Sequence, residues 1–109
     1  MITLYLQLDS QSQVQLLRCQ GHAGFDDGEG LDLVCAAVSA LTGALGLGLC
    51  EKLQPPLKVS GADGWFELDL RRQKLPPEGR LLVETIAASL RSLCDNYPGF
   101  IELRAVDEE

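Results

Sequence analysis

The chain has a single histidine, His22, and a cysteine thirteen positions after it, Cys35. A thiolate is a strong nucleophile, and an imidazole within hydrogen-bond reach can take the proton that the thiol carries. His22 stands where a strand pattern ends, and a glycine-rich stretch connects it to Cys35. That stretch is long enough to fold the imidazole back over the thiol. The two residues therefore predict nucleophilic catalysis, with Cys35 as nucleophile and His22 as its base.

Asp32 is predicted to start a helix just before Cys35. It precedes an apolar pattern of helical period and is a favourable N-cap, so Cys35 becomes the third helical residue. Backbone N–H groups of a first turn lack helical partners and the helix dipole is positive there, which favours a thiolate and an oxyanion. Asp32 could also orient His22. Ser39, one turn later, could touch the thiol or the substrate, although a helix serine more often bonds to its own backbone.

The loop between the two residues is acidic and rich in glycine. A loop of this composition packs no core and is expected to be mobile. Its carboxylates, together with Asp32, disfavour a thiolate by like charge, so a protonated His22 must outweigh them or they must point away. The alternative is an ordinary solvated tip. The candidate substrate-binding loop consists of Asp26, Asp27, Gly28, Glu29 and Gly30, and Gly21 is a candidate supporting residue of the site.

Several other functions stay open for these residues. A cysteine in an apolar helix is most often a packing residue, and Cys19, Cys50 and Cys94 are assigned to that class. With no Cys-x-x-Cys pair and one histidine, we expect no metal and no cofactor. A non-enzymatic binding module is the main alternative to an enzyme. Redox sensing by Cys35 is a weaker one, because no resolving cysteine is near in sequence.

The elements that must position this pair alternate between strands and helices. The pattern predicts an α+β fold of order ββαββαβ, with two helices on a mostly antiparallel sheet. Large and small residues form two stripes on the first helix, which suits packing on two sides. The predicted strands are Ile2–Leu8, 13–20, Leu57–Ser60, 65–70 and 100–106, and the helices are 31–53 and a second one that starts at Pro76-Pro77 and stops at Tyr97-Pro98-Gly99.

Composition narrows the class of protein further. We expect one domain over residues 1–109, and a net charge of −7 makes direct nucleic-acid binding unfavourable. Met1 leads directly into a strand pattern rather than a signal peptide, so reduced thiols in the cytoplasm are expected. The uncharged run Leu33–Cys50 reaches the lower length limit of a membrane span, but its glycines favour a buried helix, and no membrane partner is expected.

Two segments also resemble a known signature. Gly21-His22-Ala23 followed by 30–39, Gly-Leu-Asp-Leu-Val-Cys-Ala-Ala-Val-Ser, is similar to the motif of the ribosomal-processing cysteine protease family, Prp, and the resemblance covers the whole chain. It implies a Cys35–His22 dyad, with Asp32 and Ser39 supporting the site and a glycine-bearing loop closing over substrate. It also implies a homodimer that removes the basic N-terminal extension of large-subunit ribosomal protein twenty-seven during ribosome assembly. The acidic loop would attract such an extension.

Overall fold

The computed structural model describes residues 1–106, and its elements follow the predicted order. One five-stranded sheet carries two helices, which confirms the α+β prediction. A π-helical turn, Gly48–Lys52, continues the first helix. The elements are β1 (Ile2–Leu8), β2 (Val14–Gln20), α1 (Leu33–Leu47), β3 (Ser60–Ala62), β4 (Trp65–Asp69), α2 (Pro77–Asn96) and β5 (Ile101–Ala105).

The sheet brings distant parts of the chain together at one end. The strand order is β3-β4-β2-β1-β5, and all neighbours are antiparallel except β1 and β5. Gln20, the last residue of β2, pairs with Thr3 of β1 and with Trp65 of β4. The segment that leaves β2 toward His22 is therefore flanked by the start of β1 and by the turn before β4.

The core lies between the sheet and the inner faces of the helices. Ile2, Leu4 and Leu6 of β1 are buried as the alternation predicts. Leu8, expected on the same face, is 40% exposed because a register shift between Gln7 and Leu8 turns the strand. The fully buried side chains of the helices include Val34, Leu45, Val83 and Leu90.

Only one side of α1 is covered, so the expectation of a helix packed on two sides is wrong for most of its length. Ala36, Ala40 and Ala44 of the small stripe are exposed, and only Gly48 makes a close approach, to Leu82 of α2. The segment Leu33–Lys52 is long and apolar enough to cross a membrane by length and composition alone. Val34, Val38, Leu45 and Leu49 of this segment nevertheless pack into the core, whereas Leu33 and Leu47 are exposed.

Two predicted boundaries differ from the structure. The strand expected at Leu57–Ser60 lies further along, at Ser60–Ala62, because the side chain of Gln73 bonds to both backbone groups of Lys58. Those bonds replace a strand partner. The helix expected over 31–53 is α-helical only over Leu33–Leu47. The single domain over residues 1–109 stays a prediction, since 107–109 lie outside the described residues.

Candidate active site

Cys35 is the third residue of α1, as the cap predicts. The Cys35 N–H donates to Asp32 Oδ1 at 2.9 Å, and Asp32 has extended backbone angles typical of an N-cap. The thiol therefore lies at the positive end of a fifteen-residue helix. This bond also occupies the Cys35 N–H, so that group is not the free oxyanion donor that the sequence suggested.

The second oxygen of Asp32 fixes the loop that follows His22. Asp32 Oδ2 accepts the N–H groups of Gly24 at 3.0 Å and Phe25 at 3.3 Å. These bonds, with the Cys35 N–H as the largest contributor, hold the pKa of Asp32 below its usual range. Among the described residues no hydrogen bond links Asp32 to His22. Asp32 thus ties the helix start to the loop, and the orientation of His22 comes from elsewhere.

The Cys35 sulfur accepts a hydrogen bond from the residue next to His22. The N–H of Ala23 lies 3.2 Å from Cys35 Sγ. Burial nevertheless raises the pKa of Cys35, and the nearby Asp32 carboxylate raises it further, while the Ala23 N–H lowers it in part. The helix start alone predicted easier ionisation. The structure shows the opposite balance, so the resting side chain is a neutral thiol that needs a base.

His22 is positioned by the turn between β3 and β4. The N–H of Gly21 donates to the carbonyl of Gly64 at 2.9 Å, which extends the β2–β4 pairing up to the histidine. Gly64 has a φ of +72°, and a Cβ placed on it would lie 2.8 Å from His22 Nε2. Gly21 has a φ of +102°, and any side chain on it would collide with the Met1 carbonyl. The imidazole therefore packs on a surface that only glycine can provide.

Cys35 and His22 line the same cavity. It measures about 100 Å³, and Ser39, Thr42 and Asp63 contribute to its wall. No hydrogen bond joins the imidazole to the thiol among the described residues. Catalytic hydrogen bonds are often long before substrate binds, so shared access to one cavity is the relevant geometry. The arrangement can present a thiol and a base to one carbonyl group.

The acidic loop is closed by its own carboxylates. Asp26 Oδ1 accepts the Gly28 N–H at 2.8 Å, and Asp27 Oδ1 accepts those of Glu29 at 2.7 Å and Leu31 at 3.1 Å. The Glu29 side chain is exposed, and Gly28 and Gly30 both have positive φ angles. The loop thus presents acidic groups to solvent in a defined shape.

One aromatic side chain attaches this loop to the segment between α2 and β5. Phe25 makes edge-to-face contacts with Tyr97, at 6.2 Å between ring centroids, and with Phe100, at 5.3 Å. Tyr97 lies just after α2, where the second helix was predicted to stop, and is 39% exposed.

The structure adds residues that sequence reasoning missed. Ala23 contributes a backbone N–H, Gly64 a packing surface, and Trp65 and Thr42 parts of the wall. The sequence pattern predicts a hairpin turn at 61–64, which includes Asp63-Gly64, but it does not predict the contact of Gly64 with His22. Ser39 is exposed on the cavity wall, and it is Thr42 rather than Ser39 that back-bonds, to the Val38 carbonyl at 3.0 Å.

Neither cysteine chemistry nor ligand spacing indicates a metal centre. Residues 1–106 hold no group of three His, Cys, Asp or Glu side chains that could bind a metal ion.

All four cysteines are free thiols, and Cys19 lines the same cavity as Cys35. Burial raises the pKa of Cys19 to about 12, so Cys19 stays protonated. Cys50 is exposed, which makes it a competitor in any labelling experiment.

The family model for cysteine protease Prp matches residues 1–102. SMU.848 from Streptococcus mutans is 26% identical, with 99% of this chain and 96% of that chain covered and a TM-score of 0.78. An essential ribosomal processing protease Prp from S. aureus, solved with a covalently linked product peptide, is 23% identical, with 97% and 100% covered and a TM-score of 0.73. The structure of that protease in complex with a substrate peptide is 22% identical in sequence to this chain, with 97% of this chain and 100% of that chain covered and a TM-score of 0.73. Curated proteins give no significant match.

Proposed function

The chain belongs to the cysteine protease Prp family, and on that premise we propose that it removes a short N-terminal extension from a ribosomal protein, with Cys35 as nucleophile and His22 as base. One observation carries the assignment of the two residues. The cavity beside the start of α1 is lined both by Cys35 and by the only histidine of the chain. The N–H next to that histidine already contacts the sulfur.

The raised pKa of Cys35 decides how the reaction begins. Because the resting group is a neutral thiol, His22 takes its proton as the sulfur attacks, rather than facing a preformed thiolate. The S–C bond forms as the carbonyl π bond opens, and the oxygen takes the charge. The Ala23 N–H donates to Cys35 Sγ, so it stabilises the negative charge that the sulfur carries as it loses its proton and before the S–C bond is complete.

The remaining steps return the enzyme to its resting state. The imidazolium of His22 gives its proton to the leaving amine as the C–N bond breaks, which leaves an acyl-enzyme on Cys35. His22 then removes a proton from a water molecule that attacks the thioester. The S–C bond breaks, the new carboxyl end departs, and the thiol is regenerated.

We propose the basic N-terminal extension of large-subunit ribosomal protein twenty-seven as the substrate. The S. aureus relative is described as a ribosomal processing protease and was solved with a substrate peptide. The net charge of −7 and the loop carboxylates favour a basic segment. Replacing Asp26 and Asp27 by Asn and Glu29 by Gln should slow cleavage at low salt and flatten its salt dependence. An unchanged rate with unchanged salt dependence would remove the loop from substrate attraction.

Two further features belong to the same proposal. The exposed small face of α1 supports a homodimer, because apolar surface of this kind gains from a partner. The four free thiols support a reducing, cytoplasmic location. Light scattering across a dilution series tests the first, and fractionation of the host cell tests the second.

The mature N-terminus of the ribosomal protein tests the function directly. Cells that lack this chain should accumulate the unprocessed form, and wild-type protein or Cys50→Ala should restore processing. Cys35→Ala should not restore it. Processing restored equally by Cys35→Ala would favour a binding module without enzymatic activity and contradict the protease.

A further inference from the structure

The cavity beside Cys35 continues into a larger groove. A depression of about 530 Å³ lies between α1 and the β3–β4 hairpin, and we call it the α1–β3 groove. It shares Ser39, Thr42 and Trp65 with the wall of the cavity that holds Cys35 and His22. The two depressions therefore form one continuous surface, which starts at the thiol and follows α1 toward its C-terminal end.

The groove is kept open by residues without side chains. Gly43 lines it, and a Cβ added to Gly43 would meet no atom within 4 Å. Leu47 on the helix side is 58% exposed and Trp65 on the hairpin side is 37% exposed. Large apolar side chains at this exposure, on both sides of an open channel beside a reactive cysteine, indicate a surface that a partner covers.

One wall of the groove is the free edge of the sheet. β3 is the outermost strand, and in the part of the chain that the structure describes no strand pairs with its outer side. Ser60–Ala62 is exposed along its length, and Gly61 lines the groove. An unpaired edge strand is a template for an extended peptide, which gains main-chain hydrogen bonds there.

The one charged residue that lines the groove lies at its far end. Glu51 is the only charged residue among those that line it, and it is exposed. At a rise of 1.5 Å per residue, Glu51 lies about 24 Å along the helical segment from Cys35. An extended peptide covers that span with about seven residues.

We propose that the substrate binds in the α1–β3 groove as an extended strand along β3, with uncharged side chains next to the scissile bond and a Lys or Arg about seven positions away, opposite Glu51. This inference rests on the proposed protease function and adds the site and side-chain preference of the substrate. The occupant is a peptide segment, because an extended strand satisfies the free edge of β3 and fits a groove whose one charged lining residue is Glu51.

Filling the groove tests its role without touching the thiol. Gly43→Phe places a ring in open space and replaces a glycine in a helix, so it should not destabilise the fold. Ala44→Phe is the matched control, since Ala44 is exposed on the same helix and does not line the groove. For a peptide from ribosomal protein twenty-seven that contains the cleavage site and is long enough to fill the groove, kcat/KM should fall about tenfold in Gly43→Phe and less than about twofold in Ala44→Phe. Alkylation of Cys35 by iodoacetamide should be unchanged in both.

The charge preference is tested separately with Glu51→Gln, which changes an exposed side chain. A library of peptides from whole-cell proteins is incubated with each protein, and the cleavage sites are read by mass spectrometry. Wild type should favour uncharged residues on one side of the cut, followed by Lys or Arg, and Glu51→Gln should lose only the basic preference. If wild type is active, Gly43→Phe cleaves as fast as wild type and no such pattern appears, the proposed binding in the groove is refuted and the protease function stands. A wild type that cleaves no peptide overturns the protease function and the groove with it.

Discussion

Gly64→Ala is the sharpest test of how the fold positions the proposed base. The added methyl would lie 2.8 Å from His22 Nε2, whereas ordinary contact begins at 3.4 Å, so the imidazole must move by about 0.6 Å. A displacement near 1 Å of a catalytic group can cost about a hundredfold in rate, so we expect kcat to fall about tenfold. KM should change little, because the substrate groove is not altered.

Backbone strain must be separated from this displacement. Alanine at a φ of +72° costs about 1–2 kcal/mol of stability wherever it occurs. Gly99→Ala is the control, since Gly99 has a φ of +91° and an added Cβ meets nothing within 4 Å. Urea unfolding should show similar losses of stability in both variants, and only Gly64→Ala should lose kcat.

The single histidine gives a second readout for Gly64→Ala. The ring carbon-bound protons of His22 are the only imidazole signals in an NMR spectrum of the chain. These signals should shift in Gly64→Ala and stay in place in Gly99→Ala, because only the added methyl of Gly64→Ala meets the ring. Equal loss of kcat in both variants, or an unmoved imidazole in Gly64→Ala, would refute the positioning role of the turn.

Three further predictions follow from the hydrogen bonds and burial around the site. Asp32→Asn should lower the urea midpoint, because Asn still accepts the Cys35 N–H but its amide nitrogen cannot accept from Gly24 and Phe25. Since the pKa of Asp32 is lowered in the folded state, the difference from wild type should be full above about pH 4 and vanish as pH falls through that lowered value. In a Cys50→Ser background, the rate of Cys35 alkylation should still increase with pH at about pH 8.5, because burial raises the pKa of Cys35. A rate that is already constant at neutral pH would indicate a preformed thiolate instead. Phe25→Ala should lower the free energy of unfolding, measured in urea, by about 1–2 kcal/mol, because two ring contacts are lost. A change below about 0.3 kcal/mol would show that the loop is held by Asp32 alone.

Local sequence was sufficient where local physics decides the structure. The Asp32 cap, the third-position cysteine and the strand alternation of β1 depend on neighbours within one turn or one strand, and the structure has all three. The strand near Leu57 was misplaced because Gln73, distant in sequence, bonds to the backbone of Lys58. A side chain that takes the place of a strand partner in this way produces no periodic pattern in the sequence.

The candidate site required the sheet register to be known. Gly64 reaches His22 only because β4 pairs with β2 up to Trp65 and Gln20. The pKa of Cys35 likewise depends on burial by segments remote in sequence, and the helix start alone predicted the wrong direction. The signature residues were therefore visible from the sequence, whereas the packing that governs their chemistry was not.

A double-mutant comparison measures the central claim most directly. We would determine kcat/KM for the ribosomal-protein peptide with wild type, Cys35→Ala, His22→Ala and the double variant, with Cys50→Ala as the matched control. If the thiol and the imidazole act as one unit, each single variant loses nearly all activity, and the double variant loses no more. Cleavage that survives in Cys35→Ala, or losses that simply multiply in the double variant, would contradict a Cys35–His22 pair.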